Sequence, residues 1–223
     1  MSKRSARLKR GAAYVGVPLL FCCILYFVAY IALEPLVSPY LGLADLFVSS
    51  GQDPQTDTEQ IGSIFVGAPE TDEPTVDGST VEIPYYGAHY AHLSLDRIGL
   101  STDVYMGDSS AILKKGTGQY YGSMPFGFGR PILLSGHNNR EMNLLQYVEE
   151  GDIFVAETNY GTYRYQVNKI EIISKDDFST QVLRQDKEQL IVYTCYPFEY
   201  LGVWQYRLFI YADKISGPEV VFD

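Results

Sequence analysis

Near its C-terminal end the chain reads Leu190-Ile191-Val192-Tyr193-Thr194-Cys195-Tyr196-Pro197 and, after a short interval, Gln205-Tyr206-Arg207-Leu208-Phe209-Ile210-Tyr211-Ala212. Both are runs of β-branched, aromatic and aliphatic residues, the composition of strands. The first is apolar enough to be a buried strand that ends at Cys195. If the two pair as antiparallel neighbours, Cys195 at the end of one comes close to Arg207 at the start of the other. Strand ends are where side chains from separate elements can converge on a cleft.

Working back from this pair, the same kind of segment recurs. Ala91-His92-Leu93-Ser94-Leu95 alternates apolar and polar with the period of a half-buried strand. Thr102–Tyr105 follows a turn at Gly99, and Ile132-Leu133-Leu134 is a short buried strand. Ile153–Glu157 and Thr162–Val167 flank Thr158-Asn159-Tyr160-Gly161, a loop with Asn and Gly that suits a hairpin. Lys169–Ile173 extends that sheet. Helix is scarce: one turn at Ile112–Lys115 closed by Gly116, and a short helix over Asn143–Val148. Some eight short strands with little helix predict an all-β fold, a closed or nearly closed barrel.

A third residue stands at a strand end. His137 follows Ile132–Leu134 in Leu134-Ser135-Gly136-His137-Asn138-Asn139. The three residue types suit acyl transfer. A thiol is a strong nucleophile once part of it is thiolate. An imidazole can protonate a leaving amine and later deprotonate an incoming one. A guanidinium offers fixed donors to an oxyanion and keeps its charge. Taken singly, each has an ordinary structural reading: an inert thiol, a structural His, a surface Arg.

Charge and cysteine usage narrow the setting. Of seventeen bases against 27 acids, five bases fall among the first ten residues, so the remainder is more acidic than the net charge of −10 indicates. Such a domain repels phosphates, which excludes nucleic acid as a partner. Residues 1–11 form a basic tail. Residues 12–33 are uncharged and apolar, long enough to cross a bilayer, which takes about 20 residues. The positive-inside rule then leaves the tail in the cytoplasm and the rest outside. The run is too long for a cleaved signal peptide, whose apolar region spans about 7–15 residues. Cys22 and Cys23 lie inside it, leaving Cys195 as the one thiol of the outer part, with no disulfide partner. Residues 34–84 are acidic and poor in large apolar residues, a linker interrupted by islands at Leu41–Val48 and Ile61–Val66 that could dock on the domain. The globular part is 85–223.

On these residues the domain resembles the sortases, cysteine transpeptidases of Gram-positive bacteria. That family carries His in a Gly-His context at a strand end, as Gly136-His137 stands here. It carries a T-L-x-T-C motif followed about a dozen residues later by Arg. Thr194-Cys195 and Arg207 match, while Ile191 and Val192 replace the leading Thr and Leu. The likeness begins at Ala91-His92-Leu93-Ser94-Leu95-Asp96-Arg97-Ile98-Gly99-Leu100, passes through Ala111–Gly118, and continues to about Lys214. It implies an eight-stranded sortase β-barrel with short helices, preceded by the transmembrane helix. It implies cleavage of an L-P-x-T-G-like sorting signal on secreted proteins, with Cys195, His137 and Arg207 catalytic and Thr194 contacting substrate. The thioacyl intermediate would pass to an amine of the cell wall or of a pilin Lys. Cys195-Tyr196-Pro197-Phe198 is similar to class D members. Class C enzymes carry a lid motif of Asp-Pro-aromatic, whereas here Asp53-Pro54 precedes Gln55 and Glu73-Pro74 precedes Thr75.

Other features carry less. His89 and His92 have a metal-ligand spacing without a third ligand nearby in sequence, so no metal is expected there. Glu149, Glu150 and Asp152 could hold calcium but read more simply as a solvated turn, and no cofactor is expected. Two rival functions use the same sequence: a cysteine hydrolase on the same site, and a membrane-tethered binding module in which the thiol is incidental.

Overall fold

The computed structural model describes residues 18–26, 61–69, 74–198 and 204–222. The chain divides into two units, Met1–Thr56 and Asp57–Asp223. In the first, residues 18–26 are helical and expose Leu19, Leu20, Phe21, Ile24 and Leu25. Among the described residues no helix is long and apolar enough to cross a membrane. Most of the anchor read at 12–33, the tail at 1–11 and the island at Leu41–Val48 lie outside the described residues.

The second unit is a closed barrel of eight strands flanked by a small two-stranded sheet. In chain order the strands are β1 (Thr75–Asp77), β2 (His89–Leu95), β3 (Leu100–Met106), β4 (Thr117–Gln119), β5 (Ile132–Gly136), β6 (Ile153–Thr158), β7 (Gly161–Ser174), β8 (Gln189–Tyr196), β9 (Tyr206–Ser216) and β10 (Glu219–Val221). Around the barrel the order is β2-β3-β4-β5-β8-β9-β7-β6, and closure leaves no sheet edge unpaired there. The all-β, eight-stranded expectation is met.

Local chemistry explains the joints. Gly99 takes a left-handed φ of 68° to close the turn Asp96–Ile98 between β2 and β3. Ser109 caps the short helix Ser110–Leu113, its hydroxyl accepting from the Ile112 amide. Thr158 pairs with Gly161, so only Asn159 and Tyr160 form the hairpin tip, a tighter loop than the four residues read from sequence. Lys169–Ile173 is the far half of one long β7, and the helix expected over Asn143–Val148 is a 3-10 segment, Glu141–Tyr147.

β8 is buried on both faces, hence its nearly continuous apolar run. Leu190 and Val192 point into the barrel with Leu208, Ile210 and Ala212. Ile191 and Tyr193 point outward, into a second cluster with Leu133, Phe209 and Tyr211. That outer cluster is covered by Phe178, Val182 and Leu183 from the β7–β8 connection. Phe178, Tyr193 and Phe209 stack there, with ring centroids 4.7 to 6.1 Å apart.

Residues 61–69 and 74–84, assigned from sequence to the linker, pack on the barrel. β1 pairs in parallel with β10, and Val81 is buried. Ile64 packs against the core in an extended segment bonded to His89 backbone atoms. Asn159 holds the same segment through the Val66 amide at 2.8 Å and the Ile64 carbonyl at 2.5 Å. Isolated from the barrel, these short runs bury too little to order themselves, which is why their composition reads as linker.

Candidate active site

Strand parity and register bring the three singled-out residues into one row. On β5, Leu133 lies on the outer face, and two-residue alternation carries Ser135 and then His137 to that side. On β8, Ile191 and Tyr193 lie outward, and Cys195 follows. On β9, Arg207 continues the outward series of Tyr211 and Phe209. β5 and β8 run parallel with Ser135 opposite Tyr193 and Gly136 opposite Thr194, so His137 leaves its strand level with Cys195. β8 and β9 run antiparallel with Cys195 directly opposite Arg207. The row His137–Cys195–Arg207 therefore crosses three adjacent strands at one end of the outer apolar cluster.

The flanking residues shape this row. Thr194 is buried and donates its hydroxyl to the Gly136 carbonyl at 2.8 Å, tying the two strand ends together. Tyr196-Pro197 is a cis peptide. Arg207 is half-buried, and Nη1 donates to the Tyr206 and Trp204 carbonyls at 2.8 and 3.1 Å. Tyr193 hydrogen-bonds Ser135 beneath the row, and its phenol is pushed up by burial.

Burial pushes the Cys195 thiol above its ordinary range, while the Arg207 charge pulls it down in part. His137 is exposed, yet desolvation by its surroundings, then the charges of Arg140 and Lys114, hold its imidazole below the usual value. At neutral pH both groups are therefore mostly uncharged, and the thiolate–imidazolium pair is a minor form.

Several neighbours were not singled out from sequence. Asn138, buried, donates Nδ2 to the Cys195 carbonyl at 3.0 Å and the Pro197 carbonyl at 3.3 Å. Arg140 donates to the Lys114 carbonyl, bringing a charged loop beside His137. The only sequence signal was an Asn directly after the strand-end His, which reads as a turn former.

The other candidates have different surroundings. His92 Nδ1 lies 3.0 Å and His89 Nε2 3.5 Å from Asp103, with Ser101 and Ser63 on the opposite ring nitrogens. A β-bulge between His89 and Ala91 puts both imidazoles on the outer face. Among the described residues no group of His, Cys, Asp or Glu is arranged to hold a metal. Asp152 is engaged by Arg97 at 2.5 and 2.6 Å and by the Glu149 amide at 2.8 Å, so this acidic turn is closed by an ion pair.

Comparison with known proteins gives this barrel its class. The sortase domain family matches residues 93–215. Sortase D of Bacillus subtilis (strain 168) is 32% identical over 133 residues, 60% of this chain and 67% of that protein. The sortase D5 transpeptidase of Clostridium perfringens superposes with a TM-score of 0.54, covering 62% of this chain and 86% of that one; at 22% identity the likeness is of fold. Sortase A from Corynebacterium diphtheriae superposes with a TM-score of 0.51 at 26% identity, covering 61% of this chain and 63% of that one. The chain belongs to the sortase family. It is a cysteine transpeptidase, and its resemblance to class D is supported by the Bacillus relative.

Proposed function

We propose that this enzyme cleaves an L-P-x-T-G-like sorting signal on secreted proteins and passes the acyl group to an amine. The observation that carries this reading is the row of thiol, imidazole and guanidinium on three adjacent strands. The Cys195 thiolate attacks the carbonyl after the signal's Thr, forming a C–S bond. As the tetrahedral intermediate collapses, the C–N bond breaks and His137 gives its proton to the departing amine. Arg207 donates to the oxyanion or the adjacent substrate carbonyl. Thr194 holds the strand end through Gly136, so that the residue expected to contact the substrate acts through its backbone and through the position of Cys195. An incoming amine, from a cell-wall precursor or a pilin Lys, loses a proton to His137 and resolves the thioester.

The same reading places the enzyme at the membrane by an N-terminal anchor over residues 12–33, with the barrel outside the cell. The uncharged run, the bases before it, and the exposed apolar side chains at 18–26 support it.

Mass spectrometry of residues 57–223 with a panel of L-P-x-T-G-like peptides tests the reaction. A thioacyl adduct on Cys195, absent from Cys195→Ala, and a ligated product with an added amine are expected. Turnover surviving in Cys195→Ala removes the nucleophile. Cleavage without ligation for every amine makes the enzyme a hydrolase. Binding of the signal peptide without any adduct on wild-type Cys195 makes it a binding module.

A further inference from the structure

We infer that Asn138 is a positioning residue for transpeptidation, setting the separation between Cys195 and His137; this rests on the reading of those two as nucleophile and acid–base. β5 ends at Gly136, level with Thr194, so β8 continues past the end of its parallel partner. Beyond that point the Cys195 carbonyl is taken by a side chain. Asn138 turns back and donates Nδ2 to Cys195 O at 3.0 Å and to Pro197 O at 3.3 Å. Both partners are acceptors, which fixes the orientation of the amide, and its two N–H bonds serve one carbonyl each.

The residue is itself held. It is buried, 5% exposed, and its carbonyl accepts from Asn143 Nδ2 at 2.9 Å. The Pro197 carbonyl also receives Trp204 Nε1 at 2.9 Å, so the far side of the turn is pinned as well. The backbone of the nucleophile is thus joined, through one short amide, to the residue that follows His137. On its other side Cys195 is set by its register with Arg207. Asn is the residue type this place demands. Asp has the same shape but no donors and would set oxygen against two carbonyls. Gln carries the donors one methylene too far.

The effect on catalysis follows from geometry. Attack needs the reacting atoms in a near-attack arrangement, and a displacement of about 1 Å can cost about a hundredfold. Releasing the Cys195 carbonyl lets the strand end drift relative to His137. It leaves β9 in place, and with it Arg207, the residue proposed to meet the substrate carbonyl. The loss therefore falls on kcat and not on KM.

The test is a cycle of wild type, Asn138→Ala, His137→Ala and the double variant, following thioacyl formation on a sorting-signal peptide by quenched mass spectrometry. Asn138→Ala is expected to lower kcat about a hundredfold with KM within about threefold. In the His137→Ala background the same change is expected to cost no more than about threefold, because the geometry it protects is already unused. An equal loss in both backgrounds, a loss confined to KM, or no loss overturns the inference. Should Asn138→Ala fail to fold, Asn138→Gln takes its place in the cycle with the same criteria. Cys195→Ala separates the two readings. If that variant turns over, the catalytic assignment falls. If it is dead while Asn138→Ala is normal, only the role of Asn138 falls.

Discussion

At the residue scale, the chemistry turns on two opposed shifts. Burial raises the Cys195 thiol and desolvation lowers the His137 imidazole. In the proposed reaction the reacting form needs thiolate and imidazolium together. Between the two titrations that pair is a constant small fraction of the neutral pair; below the His137 titration the thiolate is lost, and above the Cys195 titration the imidazolium is lost. The plot of kcat/KM against pH is expected to be a broad bell, with its acid limb below the ordinary imidazole value and its alkaline limb above the ordinary thiol value. Arg207 is the charge opposing the rise of the thiol. Arg207→Ala is expected to move the alkaline limb upward and lower kcat/KM about 10²–10³-fold, as loss of an oxyanion donor does; steady-state kinetics across pH check both. His137, Cys195 and Arg207 were legible as residue types at strand ends. Asn138 was not, because a buried amide that finishes a strand and a turn-forming Asn are written with the same letter.

At the element scale, β8 carries two burdens. Its inner residues fill the barrel and its outer residues fill the second, outer cluster. Period-two reading found the strand, but only the register with β5 and β9 says which side chains meet. Thr194 is the join: its hydroxyl fixes β8 to the last carbonyl of β5. Thr194→Val is expected to cost about 1 kcal/mol of stability, read by denaturant unfolding, together with a fall in kcat as the row loosens. The start of β8 has a comparable tie. Buried Glu188 accepts from the Gly127 and Gly129 amides at 3.1 and 3.0 Å and from the Tyr165 hydroxyl at 2.6 Å, with Lys214 Nζ at 3.4 Å. Glu188→Ala leaves the two amides and the Tyr165 hydroxyl unpaired and takes the counter-charge from Lys214, whose ammonium keeps the Pro218 carbonyl, and is expected to destabilise the domain by about 3 kcal/mol. Thermal and urea unfolding measure it. β4, β1 and β10 are each three residues long and were not read from sequence, since so short a run has no period to detect.

At the scale of the whole molecule, the barrel is completed by chain that looks dispensable. Ile64, Val81 and the β1–β10 pair lie before and after the strands that form the barrel. A chain beginning at Tyr85 is expected to melt several degrees below one beginning at Asp57, since it uncovers Ile64 and Val81 sites and frees β10. Circular dichroism melts of the two decide it; equal midpoints would make the segment a linker after all.

The sequence by itself determined the all-β class, most of the barrel strands, the acidic character of the domain and the residue types suited to acyl transfer. Hydrophobic period, turn chemistry and charge are local properties, and they are written along the chain. The tertiary structure alone decided that residues 61–69 and 74–84 belong on the barrel, that His89 and His92 converge on Asp103, and that His137, Cys195 and Arg207 stand in one row with Asn138 behind them. Those are matters of register between strands distant in sequence. Register is set by the pairing and packing of the closed barrel, which no single segment encodes.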